Sequence, residues 1–140
     1  MRVKKTMPAE IAKRLASQPS RTAGAALRTF FNIASAWNLN ETEAMTLLGF
    51  DERTRSTYFK WKRDPESARI TKEKLERISY IFGIYKDLQV LLPKTESADG
   101  WIRRPNNAMP FSGRPALERM LSGNVADLYV VRKYLDAQRG

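Results

Sequence analysis

Arg53, Arg55, Ser56, Thr57, Lys60 and Lys62 stand close together in the segment ERTRSTYFKWK, residues 52–62. Their side chains share one chemistry. An arginine fork can meet a guanine edge with two hydrogen bonds, serine and threonine hydroxyls can bond to bases or phosphates, and lysine neutralises phosphate without reading sequence. No acid follows Glu52 within the segment. The chain of 140 residues carries 25 basic against 15 acidic side chains, a net charge of +10 and a pI near 10.2. Such a balance favours polyanions, above all nucleic acid, as partners. An ordinary solvated basic face would show the same residue types, so the setting of the segment has to decide between the two.

Other chemistries lose their tools. The chain has no Cys and no His, which removes disulfides, thiolate metal sites and the commonest acid–base residue. The acids stand singly or beside Lys and Arg, as on solvated helix faces. Catalysis is therefore not expected, nor is a cofactor. No run of apolar residues is long enough to cross a membrane, and the first residues, MRVKKTMPAEIAKRL, lack the apolar centre of a secretory signal. The expected location is the cytoplasm.

The elements that must position the basic segment can be read from periodicity and caps. From Ala23, the apolar residues Ala26, Leu27, Phe30, Phe31, Ala34 and Trp37 recur at helical spacing, and Asn38 supplies a stop. Asn40 with Glu43 forms a capping-box pattern, Ala44, Leu47 and Leu48 form the inner face of a second helix, and Gly49 can end it in the left-handed conformation. Phe50 anchors the turn and Asp51 caps the basic helix, residues 52–62, whose inner side is Thr54, Tyr58 and Trp61. Two helices joined by so short a turn, the second one basic, meet the description of a helix-turn-helix.

Beyond Pro65, Thr71 caps the longest helix, with an apolar stripe of Leu75, Ile78, Ile81, Phe82, Tyr85, Leu88 and Leu91 running to Pro93. Residues 94–100 read as a polar boundary. A loop rich in Pro, Asn and Gly follows at 103–115, then a short helix at 115–121 and a last helix from Val125 to about Ala137, with Asn124 as its cap. No strand pattern is seen, and the fold class is all-α. The division is an N-terminal arm at 1–22, with a hint of a helical turn at 11–15, a helix-turn-helix module at 23–93 and a C-terminal segment at 94–140.

That C-terminal segment carries a Trp, a Pro-Asn pair, a Gly-x-Pro turn and a Ser-Gly, in WIRRPNNAMPFSGRPALERMLSG, residues 101–123, followed by a terminal helix. It resembles the toxin-binding domain of Xre/MbcA/ParS-type antitoxins, and the preceding helices resemble their Xre-type DNA-binding module. The resemblance implies an antitoxin whose partner is a RES-domain toxin that consumes NAD or transfers ADP-ribose from it. It further implies that the C-terminal domain covers the toxin's active site, while the N-terminal module dimerises and represses the shared promoter. Carried onto this chain, the toxin surface would be the loop 101–113 and the tail 132–140, with Trp101, Asn106, Arg132, Lys133, Arg139 and Gly140 as candidate contacts. Trp101 and Phe111 also suit a structural task, pinning the loop to the helices. Arg139 and the terminal carboxylate of Gly140, on a short flexible tail, are the groups best suited to enter a pocket built for phosphates and a cationic ring.

Partners expected on this reading are the cognate RES-type toxin, operator DNA and a second copy of the chain, the helix at 71–92 serving as both core and interface, with no membrane. Two alternatives stay open: a stand-alone transcription regulator, and a toxin-neutralising protein without DNA binding.

Overall fold

Asn40 accepts a hydrogen bond from the Glu43 backbone at 2.8 Å, and the Glu43 carboxylate accepts one from the Asn40 backbone at 3.0 Å. This reciprocal cap satisfies two donors that a helix start would otherwise leave bare, a stabilisation of about 1 kcal/mol. It opens α2 (Glu41–Leu48) in the computed structural model, which describes residues 21–140. The helical turn expected at 11–15 lies outside the described residues. Before α2 stands α1 (Arg21–Ala36), and after it come a 3-10 turn (Glu52–Thr54) and α3 (Arg55–Arg63). A second 3-10 turn (Pro65–Ser67) leads to α4 (Lys72–Leu91).

Gly49 ends α2 at φ 87°, a backbone conformation that a side chain would strain. Phe50 is buried behind it, edge-on to Trp61 at 5.1 Å and to Tyr58 at 5.7 Å. The turn is thus fixed by packing on one side and by glycine on the other.

The C-terminal half holds α5 (Thr95–Gly100), a 3-10 turn (Trp101–Arg103), α6 (Ala116–Met120) and α7 (Val125–Arg139). Central to the molecule is α4, which packs against α1 and α2 on one side and α5 and α7 on the other, so that one continuous apolar core spans both halves. Leu75, Ile81 and Ile84 from α4 meet Leu27 and Phe30 from α1 in this core, together with Leu128 and Val131 from α7. Burial of such side chains, each worth roughly 1.5–3 kcal/mol, is what makes the short helices persist.

The chain is all-α, with departures from the sequence reading that have local causes. Pro105–Asn106 and Arg114–Pro115 form a minimal antiparallel bridge, closed by Gly113 at φ 86°. A strand of two residues is too short to show an alternating pattern. Residues 94–100, read as a polar boundary, are largely helical, with Ala98 buried in the core. Thr54 does not face inward: it is exposed, and its hydroxyl and backbone serve the Asp51 cap. Phe82 is 43% exposed rather than part of the inner stripe, the inward place being taken by Gly83. Asn124 makes no side-chain cap; the start of α7 is held by Ser122, which accepts from the Asn124 backbone and donates to Asp127.

Candidate DNA and partner surfaces

Tyr58 and Trp61 turn one face of α3 into the core, and their burial decides which side chains are left outside. The Tyr58 hydroxyl donates to Glu41 at 2.8 Å, and Lys62 pairs with the same carboxylate. The Lys62 hydrogen bond, above all, holds Glu41 below the usual carboxylate range. Lys62 is therefore engaged in hanging α3 from α2. Arg55 is also held, by Glu52 at 3.2 Å and over the Phe59 ring at 5.1 Å. Arg53, Ser56, Thr57 and Lys60 stay exposed, Arg53 with 92% of its side chain open.

Arg63 completes the outer face. It lies three residues beyond Lys60 and seven beyond Ser56, on the same side of the helix, and it is exposed. The sequence reading missed it by ending the helix at Lys62. Arg53, Ser56, Lys60 and Arg63 thus form the row that a groove would meet. The geometry suits a recognition helix whose first residues reach base edges and whose last ones reach phosphate.

In the C-terminal half, Trp101 stacks on Tyr134 at 6.3 Å and 18° and meets Phe111 edge-on at 5.8 Å. Phe111 closes the triangle on Tyr134 at 5.2 Å. The loop 101–113 is pinned to α7 as Trp101 and Phe111 suggested. Asn106 shapes the loop, its side chain accepting from the Ala108 backbone at 2.8 Å. A groove of about 290 Å³ beside the loop is lined by Arg103, Pro115, Leu117, Glu118 and Leu121.

Two expectations for the tail need correction. Arg132 is buried, at 7% exposure, and lies flat on Gly83, where an added Cβ would sit 2.0 Å from its Nη1. It donates to Asp136 at 3.3 Å and to the Ser79 carbonyl at 3.3 Å, so it belongs to the α4–α7 seam and not to the outer surface. The tail is not free either. Helix α7 runs through Arg139, whose guanidinium is bound to the buried Asp87 at 2.9 Å. Lys133 and Gly140 are exposed, Lys133 over the Tyr129 ring at 5.8 Å.

Asp87 and Asp136 face each other across the seam between Arg132 and Arg139, each with one oxygen lacking a partner among the described residues. Burial first, and then Asp136, push the Asp87 carboxyl up. A carboxyl raised in the fold stabilises it fully below the unfolded value, and this stabilisation is lost as pH rises through the folded value. Asp87→Asn would keep an acceptor for Arg139 and offer a donor to Asp136, as the protonated acid does. Its melting temperature relative to the wild type is expected to climb with pH over a range that begins near the ordinary carboxylate value of about 4. Melting curves of both proteins across that range check this, and a constant difference would contradict it.

Among the described residues no helix is long and apolar enough to cross a membrane, and no group of three or more His, Cys, Asp or Glu is placed to hold a metal. Two family models match the chain. Residues 19–83 match the family model described as the antitoxin Xre-like helix-turn-helix domain. Residues 87–140 match that of the antitoxin Xre/MbcA/ParS C-terminal toxin-binding domain. The Uncharacterized protein y4oB of Sinorhizobium fredii is 45% identical over 124 residues, covering 89% of this chain and 92% of that protein. With a basic helix after a short glycine turn and an aromatic-pinned loop in its C-terminal half, the chain belongs to the Xre/MbcA/ParS family of antitoxins.

Proposed function

We propose that this antitoxin neutralises a RES-type toxin that consumes NAD or transfers ADP-ribose from it, and that it represses its own promoter as a homodimer. The observation that carries the first part is the rigid aromatic triangle of Trp101, Phe111 and Tyr134, which presents the loop 101–113 beside the exposed Lys133 and the end of α7. A preorganised surface loses little entropy on docking, which favours a tight, occluding complex. Lys133, Arg139 and Gly140 are the groups placed to meet the rim of the pocket, Arg139 through the 43% of its side chain that stays exposed beside Asp87. Arg53, Ser56, Thr57, Lys60 and Arg63 supply the promoter contacts, Arg55 adding a base contact from its held position. The exposed Phe82 and Val90, two turns apart on one stripe of α4, support a second copy docking there.

The product of the adjacent gene, purified with and without this chain, provides the test. NAD consumption by that product should fall to background at one equivalent of antitoxin. Undiminished NAD loss in the presence of excess chain would contradict the occlusion reading.

A further inference from the structure

We infer that Arg103, a residue of the toxin-binding half, positions the recognition helix for DNA. The inference rests on the promoter-binding part of the proposed function and gives a residue of the loop 101–113 a second task. Arg103 reaches out of its own half to the corner between α1 and α2. Its Nη2 donates to the Asn38 carbonyl at 2.9 Å, the Trp37 carbonyl at 3.3 Å and the Glu43 carboxylate at 3.3 Å, while Nε lies 3.4 Å from the Trp37 carbonyl. Those carbonyls end α1 and have no further turn of helix to bond to, and Asn38 holds the left-handed conformation at φ 56°. One guanidinium thus satisfies the corner and grips the capping box that starts α2.

The same first turn of α2 carries Glu41, which holds Tyr58 and Lys62 of α3. A line of bonds therefore runs from Arg103 through α2 to the recognition helix. The opposite end of α2 is tied to the toxin-binding half as well. Arg77 donates to the Gly123 carbonyl at 2.8 Å and packs so closely on Gly49 that a Cβ there would lie 2.8 Å from its Nε. Helix α2 is held at both ends by arginines that also belong to, or bond with, the C-terminal half. The seat of α3 is then set by that half, and a base-reading helix is sensitive to small changes of angle because its hydrogen bonds are directional.

Arg104 supplies the control. It neighbours Arg103 and bears the same charge, but it bonds to the Ser97 carbonyl at 2.7 Å within its own half. The experiment compares wild type, Arg103→Gln, Arg104→Gln and Arg103→Lys as full chains, binding a fragment of the chain's own promoter and a random duplex of equal length. Each glutamine variant removes one charge and should weaken random binding alike. Arg103→Gln alone should lower the promoter-to-random ratio, by about tenfold, the scale of one lost base pair of discrimination. Arg103→Lys, which keeps a donor for Asn38, should restore most of the ratio.

Melting curves show whether Arg103→Gln stays folded. If it does not, amide spectra of Arg103→Lys decide: shifts reaching residues 53–60 support the positioning role, and shifts confined to 102–104 and 37–43 overturn it. Equal ratios for Arg103→Gln and Arg104→Gln, with a discriminating wild type, would overturn this inference alone. A wild type that does not discriminate would overturn promoter reading itself, and this inference with it.

Discussion

Joint replacement of Arg53, Lys60 and Arg63 by alanine is expected to weaken DNA binding by roughly a hundredfold to a thousandfold at physiological salt. The three are the cations of the outer row formed by the 3-10 turn (Glu52–Thr54) and α3, and neither Lys60 nor Arg63 makes an ion pair among the described residues. Removing up to three phosphate contacts should also flatten the dependence of log affinity on log salt by about three units. Stability should hardly move, because side chains this exposed contribute little to the fold. Toxin binding should be unchanged. Arg55→Ala and Thr57→Ala, tested singly, should instead cost about 1–3 kcal/mol on one preferred sequence and relax one position of it. Titrations at several salt concentrations separate these effects, and a triple variant with the wild-type salt slope would remove α3 from the DNA interface.

Arg132→Ala should act on the fold, by about 3–5 kcal/mol, because it leaves Asp136 buried without its cation. Asp136 is 7% exposed and Asp87 2%, so neither can turn to water without opening the α4–α7 seam. The surface that Gly83 leaves for the guanidinium would become a void as well. A fall of roughly ten degrees or more in melting temperature is the expected reading. Lys133→Ala, one residue on, should leave the melting temperature alone and weaken the toxin complex. An Arg132→Ala protein that melts like wild type while losing the toxin would return Arg132 to the partner surface.

The contrast between these neighbours shows which parts of the molecule could be read in advance. The Asn40–Glu43 box, the Asp51 cap, the left-handed Gly49 and the Thr71 cap all involve residues within one turn of each other, so spacing alone declares them. The starts of α2, the basic segment and α4 followed from them, while α1 was declared by its apolar spacing. Arg132 and Arg139 read as toxin contacts because the groups that engage them across the fold lie 53 and 52 residues away, at Ser79 and Asp87. No local pattern announces such a pair. Helix α4 is apolar on both sides of Gly83, so periodicity could not choose between Phe82 and its neighbours for the inner face. The glycine itself was the available signal: in mid-helix it costs about 1 kcal/mol relative to alanine, and a close neighbour, here Arg132, is the usual reason.

On the candidate sites, the residue types of α3 were legible and their free or engaged state was not. Lys62 and Arg55 have the right chemistry for DNA, yet Glu41 and Glu52 occupy them in the free chain. The tail shows the same limit. Its last residues read as a flexible end, whereas the Arg139 pair with Asp87 extends α7 nearly to the terminus.

The most direct test of two separate surfaces on one core is amide hydrogen exchange of the full chain, alone, with the toxin and with promoter DNA. The account predicts that the toxin protects residues 101–113 and the end of α7, and that DNA protects residues 53–63. Toxin protection centred on α3, with the loop 101–113 exchanging as in the free chain, would contradict it.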